Sequence, residues 1–182
     1  MLINKYDSML LIIDVQENLT PVQESPRGVI NGCSTLLAVA DELNIPYIVA
    51  EQDHKVFGST MMDLRKVLKN EHCYYEKDTF SCYKNTKIQE AVKNIGKKQI
   101  IIAGLETHLC VLQTAIDFKD AGYEVFVVAD SCSSRSSYQN SLGIQRLIQH
   151  GIDVVSREMV LFEWMDKSGS KLFDELWERR LR

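Results

Sequence analysis

A chain of 182 residues, 45% apolar and 25% charged, is long enough to bury an ordinary core and short enough to need only one. Its net charge of −4, without a basic arm, argues against nucleic acid or an anionic membrane as partner, and no apolar run reaches membrane-spanning length. Five irregularly spaced cysteines with no Cys-x-x-Cys pair, and four dispersed histidines, argue against a disulfide frame or a zinc ribbon and for a reducing, cytoplasmic compartment.

The opening MLINKYDSMLLIID has one Lys and no small-residue cleavage site, so it reads as a first strand rather than a signal peptide. Met9 to Val15 is a near-continuous apolar run, as suits a parallel strand buried on both faces, and Asp14 closes it. Gln16 follows and points toward the same space. Ser25-Pro26 is a helix start. Val29, Cys33, Leu36, Leu37, Ala40 and Leu43 then recur at helical spacing, with Cys33 as inert core, until Asn44 and Pro46 end the helix. Tyr47 to Ala50 is the second strand and runs into the polar Glu51-Gln52-Asp53-His54. Ser59 caps a short helix through Leu68. His72 to Glu76 is a short third strand, with Lys77 just past its end. Asn85 or Thr86 caps a helix through Asn94, and Gly96 ends it.

The segment from Gln99 to Ala121 begins as a fourth strand, Ile100 to Ala103, and breaks at Gly104. It restarts as a helix with Cys110 near its first turn and Val111, Leu112, Ala115, Ile116 and Phe118 on the core face. Tyr123 to Ala129 is the fifth strand, ended by Asp130, and Ser131 to Arg135 reads as a polar loop. A helix to His150, a sixth strand Ile152 to Ser156, and terminal helices Glu158 to Met165 and Lys171 to Arg180 complete the chain.

Strand and helix alternate throughout, which calls for a parallel sheet with helices on both faces, a three-layer α/β/α fold. Right-handed crossovers then bring every strand C-terminus to one edge, where ligands bind. Asp14, Lys77 and Cys110 all fall on that edge. A thiol near a helix start is favoured as thiolate, and an ammonium beside it acts the same way. A carboxylate can take the thiol proton and later activate water. Backbone N–H groups of the Gly104–Cys110 turn can hold the oxyanion of a carbonyl under attack. The combination reads as covalent acyl chemistry without a metal.

Four stretches carry a resemblance: LLIIDVQ around Asp14, YEKDTFSCY around Lys77, AGLETHLCVLQTAID around Cys110, and VFVVADSCSSRS from Val125 to Ser136. Together they resemble the isochorismatase-like family of cysteine hydrolases, and most of all its isochorismatase domain-containing branch. The resemblance implies one domain over 1–182, six mainly parallel strands in the order 3-2-1-4-5-6, and an Asp14/Lys77/Cys110 triad. It implies an oxyanion hole from the N–H groups of Glu106 and Cys110, with a cis peptide at Leu105–Glu106. It also implies a homo-oligomer, a dimer or larger, in which a neighbouring subunit can complete the site. True isochorismatases of the family lack the Cys. Its nicotinamidases carry an Asp-x-His-Pro segment for a metal, which Glu51-Gln52-Asp53-His54-Lys55 does not match. The expectation is therefore a metal-independent, cofactor-free hydrolase of a C–N bond in a small amide or ureide.

Gln16, Phe57, Phe80, Tyr83, Leu109 and Arg135 are the expected pocket residues. Arg135 is read either as a receptor for a substrate carboxylate or as the partner of an acid within the fold. His108 is a weak rival base, because two residues apart on one turn it would not face Cys110. Cys82 and Cys132 read as structural thiols. A non-catalytic scaffold and a redox-responsive thiol protein are the alternatives.

Overall fold

The computed structural model describes residues 1–68 and 73–169, and beyond them 171, 173, 174 and 178. Six strands form one sheet: β1 (Ser8–Ile13), β2 (Tyr47–Gln52), β3 (Tyr74–Lys77), β4 (Gln99–Leu105), β5 (Glu124–Ser133) and β6 (Asp153–Val155). All their pairings are parallel and the order is β3-β2-β1-β4-β5-β6, as expected. The helices are α1 (Pro26–Glu42), α2 (His54–Phe57), α3 (Met62–Arg65), α4 (Thr86–Ile95), α5 (Leu112–Asp120), α6 (Ser137–Gln149) and α7 (Arg157–Met165).

The period-2 alternation of β1 divides the core. Leu10 and Ile12 join Val49, Ile101, Ala103, Phe126 and the inner faces of α1 and α7. Met9, Leu11 and Ile13 join Ile48, Ile100, Ile102, Val127 and the apolar stripes of α4 and α5. Both faces of the central strands are therefore dry, which explains why their sequences read as continuous apolar runs.

Local signals act where they were expected in α4. The Asn85 side chain accepts from the Ile88 N–H at 3.2 Å, and Gly96 ends the helix in the left-handed conformation. Four expectations are corrected. Ser25 makes no side-chain capping bond, so Pro26 alone marks the start of α1. The helix expected from Ser59 shrinks to α3, because Thr60 instead pairs with Gln16 in an antiparallel bridge. The Ser131 loop is strand: β5 runs on to Ser133 after the register jumps from Ile102↔Val127 to Gly104↔Cys132. The single helix expected around Cys110 is in fact a π-helical turn, Thr107–Val111, feeding α5. His72, at the start of the expected third strand, and most of the expected Lys171–Arg180 helix lie outside the described residues.

Candidate active site

Three strand ends build the site. β1 stops because Asp14 takes a left-handed conformation, φ 57°, a turn that a short polar side chain tolerates better than its branched neighbours. The Asp14 N–H donates to Ala50 O at 3.0 Å and its carbonyl accepts from Gln16 N at 2.8 Å, so the residue is tied to β2 while its side chain leaves the strand. Lys77 is the last residue of β3. Its ammonium donates to Asp14 Oδ2 at 2.9 Å, Gln52 Oε1 at 2.6 Å and the Thr79 carbonyl at 3.2 Å. Those three acceptors use every proton an ammonium has. Both side chains of the Lys77–Asp14 pair are fully buried.

Burial raises the Asp14 carboxyl above its usual range, and Lys77 offsets only part of that rise. Burial is the largest single influence and would discharge Lys77, but the facing Asp14 carboxylate, its hydrogen bond and the neighbouring Cys82 and Cys110 sulfurs together hold the amine above the ordinary lysine value. The other Asp14 oxygen, Oδ1, is buried without a hydrogen-bond partner. It is an acceptor left over within electrostatic reach of the Cys110 thiol.

Cys110 sits in the π-helical turn and is 5% exposed. Gly104 lets that turn form. Its φ of 134° is glycine territory, and a Cβ there would fall 2.1 Å from the Ile13 carbonyl oxygen. Gly143 of α6 matters in the same way, since a Cβ on it would meet the backbone of His108 at 2.9 Å. Within the turn the Glu106 carbonyl accepts from Leu109 N at 2.8 Å and Val111 N at 3.3 Å, not from the Cys110 N–H between them. Helical turns of this register are rare and concentrate at functional sites.

Two expectations about the turn are corrected. The Leu105–Glu106 peptide is trans; the chain turns instead through the left-handed Glu106, φ 57° and ψ 65°. The thiol is not acidic. Burial raises Cys110 well above the usual thiol range and the Asp14 carboxylate pushes the same way, with Lys77 a smaller opposing influence. Loss of solvation thus outweighs the helix start on which the acidic thiol was argued.

A second group of polar side chains flanks the turn. The Glu106 side chain is buried, and its Oε1 accepts from Arg135 Nε at 3.0 Å and Gln23 Nε2 at 3.2 Å. The Arg135 side chain is 60% exposed. Arg135 therefore partners an acid of the fold, one of the two roles read for it. His108 Nδ1 lies 2.9 Å from Ser134 Oγ and 3.4 Å from Glu106 Oε2. Burial lowers its pKa, the nearby Glu106 opposing, so His108 is mostly neutral at neutral pH.

The other pocket candidates are spread out. Gln16 is fully buried and its amide is consumed by backbone: Nε2 donates to Gln52 O at 2.9 Å and Gly58 O at 2.7 Å, while Oε1 accepts from Gln52 N at 2.7 Å. Tyr83 packs edge-on against Phe118, ring centroids 5.2 Å apart, as part of the core. Phe57 and Leu109 are half-buried, and Phe80 is 60% exposed. Cys82 is fully buried, burial raising its thiol to about 12, with Lys77 the main opposing influence. Sequence reasoning missed Gln52 as the second acceptor of Lys77, and Gln23 and Ser134 beside the turn. The polar cluster after β2 was a signal for Gln52; nothing marked Gln23. Among the described residues no three His, Cys, Asp or Glu side chains converge as a metal site, and no helix is long and apolar enough to cross a membrane.

Known proteins share this architecture. The chain is 32% identical over 174 residues to the secreted isochorismatase effector Isc1 of Phytophthora sojae, covering 94% of this chain and 83% of that one. The MAR1 ribonuclease of Caenorhabditis elegans superposes with a TM-score of 0.91 at 28% identity, covering 100% of this chain and 93% of that one. The YcaC gene product of Escherichia coli, described as an octameric hydrolase of unknown specificity, gives a TM-score of 0.86 at 25% identity over 92% and 83%. The isochorismatase domain matches residues 8–159, and the chain belongs to the isochorismatase family.

Proposed function

We propose that this chain is a cysteine hydrolase that cleaves a C–N bond of a small amide or ureide through a thioester on Cys110, with no metal. The family and the hydrolase relative supply the reaction class. The observation that carries the mechanism is the buried Lys77–Asp14 pair at 2.9 Å with Asp14 Oδ1 left unpartnered beside the thiol.

The thiol raised by burial supports one order of events. Cys110 rests protonated, so Sγ attacks the carbonyl carbon as Asp14 Oδ1 takes its proton. The carbonyl π pair moves to oxygen, where the Cys110 N–H is the first candidate donor. As that oxyanion collapses the C–N bond breaks, and the proton on Asp14 passes to the leaving nitrogen. Asp14 then takes a proton from water, hydroxide adds to the thioester, and Sγ leaves with the proton. Lys77 stays charged throughout, holds Asp14 in one rotamer and lowers the cost of the negative charge that moves between carboxylate, sulfur and oxygen.

A polynucleotide substrate is the competing reading, raised by the name of the Caenorhabditis elegans relative. A net charge of −4 and a triad only 0 to 5% exposed favour a small, enclosed acyl compound over a long polyanion. We also infer a homo-oligomer, on the octameric relative and the exposed apolar side chains of Val22, Phe80 and Tyr138, and a reducing compartment, on five unbridged thiols. The test is ammonia release from a panel of small amides and ureides by wild type and Cys110→Ala, with RNA as a parallel substrate. Turnover by wild type alone, with an acyl adduct on the Cys110 peptide, supports the reading. RNA cleavage that survives Cys110→Ala overturns it.

A further inference from the structure

Glu106 is the most unusual acid outside the triad. It is 4% exposed, stands in a left-handed conformation immediately after β4, and has its two carboxylate oxygens treated differently. Oε1 is satisfied twice, by Arg135 and by Gln23. Oε2 is buried with no hydrogen-bond partner, because His108 Nδ1 at 3.4 Å is turned to Ser134 Oγ instead. Glu106 opens the π-helical turn that carries Cys110, its carbonyl accepting from Leu109 N and Val111 N on either side of that residue, so its side chain departs from the same turn as the thiol. A buried carboxylate oxygen without a donor costs free energy that a fold normally avoids. A substrate that supplies an N–H there would remove that cost.

We propose that Glu106 Oε2 accepts an N–H of the substrate, so that the site selects an uncharged N–H donor such as a primary amide or ureide and rejects a carboxylate. Arg135, a cation at the rim of this group, is held by Glu106 at 3.0 Å. An anionic substrate that recruited Arg135 would strip Glu106 of its countercharge and leave a buried carboxylate facing another anion. An amide nitrogen meets the opposite situation, a ready acceptor beside the nucleophile. This inference rests on the reading of Cys110 as nucleophile.

The probe is a pair of alkylating reagents of the same size and opposite character, iodoacetamide and iodoacetate. In each case the Cys110 Sγ–CH2 bond forms, the C–I bond breaks, iodide leaves and the thiol proton goes to Asp14. Rates at Cys110 are read by peptide mass spectrometry of the folded chain and divided by the rates for free cysteine. The expected iodoacetamide preference is about tenfold beyond that of free cysteine, the size of one hydrogen bond to a charged group. Glu106→Gln should collapse the preference toward the free-cysteine ratio, and Arg135→Gln should keep or enlarge it. A wild-type ratio equal to or below that of free cysteine, with Cys110 labelled, overturns this inference and leaves the nucleophile reading standing. Failure of both reagents to label Cys110 overturns both. If Glu106→Gln does not fold, the wild-type and Arg135→Gln ratios decide.

Discussion

Two ion pairs stand on the same edge of the sheet and are built in opposite ways. Lys77–Asp14 spans 2.9 Å with both side chains out of water, and the ammonium has two further oxygen acceptors. Arg135–Glu106 spans 3.0 Å with the arginine 60% exposed. Each carboxylate keeps one oxygen without a hydrogen-bond partner, Asp14 Oδ1 and Glu106 Oε2. The difference lies in the cation: Lys77 has spent every donor inside the fold, whereas water can replace Glu106 as the partner of Arg135. A fixed cation and an exchangeable one thus stand on the same edge of the sheet.

The largest expected effect leaves both pairs intact. Cys110→Ala should lower ammonia release on the order of 10^4-fold or more, since the proposed thioester forms on that sulfur. Its unfolding midpoint should stay near wild type; a collapse of stability would mean that the thiol is a packing group. Next comes the buried pair. Lys77→Met strands Asp14 without a countercharge and should cost about 3–5 kcal/mol by denaturant unfolding. Adding Asp14→Asn should recover much of that loss, and simple additivity of the two changes would deny the coupling.

Alkaline pH separates the pairs without mutation. Lys77 is held above its unfolded value of about 10.4, so its contribution to folding is complete below that pH and is lost as pH rises through the folded value. Unfolding free energy measured from pH 9 upward should fall more steeply for wild type than for Lys77→Met. Equal slopes would place the alkaline titration elsewhere. The smallest effect belongs to the pair with only its cation exposed: Arg135→Gln leaves buried Glu106 a place that water can reach and should cost less than Lys77→Met, about 1–2 kcal/mol. A loss as large as that of Lys77→Met would remove the contrast between the two pairs.

The order of the sheet was legible because the central strands are buried on both faces, so MLLII and IIIA appear as unbroken apolar runs between helical periods. The positions of Asp14, Lys77 and Cys110 on one edge followed from topology alone. What was not legible depends on long-range packing. β5 passes its expected end because Cys132 and Ser133 pair with Gly104 and Leu105, a register no local pattern encodes. The π-helical turn is shaped by β1 below Gly104 and α6 above His108, both remote in sequence. The acidity of Cys110 was misjudged for the same reason: a helix start is visible in a sequence, while the burial that opposes it is not.

The Gln16 amide has a consequence for how such a protein can change. By gripping Gln52 on one side and Gly58 on the other, it closes the residues between them into a ring whose two ends are fixed. Gln52 also holds Lys77, and Asp53 N donates to the Lys77 carbonyl at 3.1 Å, so the first end of that ring is tied to the buried pair. The other end is held where the Phe57 carbonyl accepts from Asn18 N at 3.0 Å. Residues added between these two anchors would lengthen the ring from fixed ends, at a closure cost of only about 0.6 kcal/mol for each doubling of loop length. The ring is therefore a place where a lineage can vary the chain while Lys77 beneath it stays where it is.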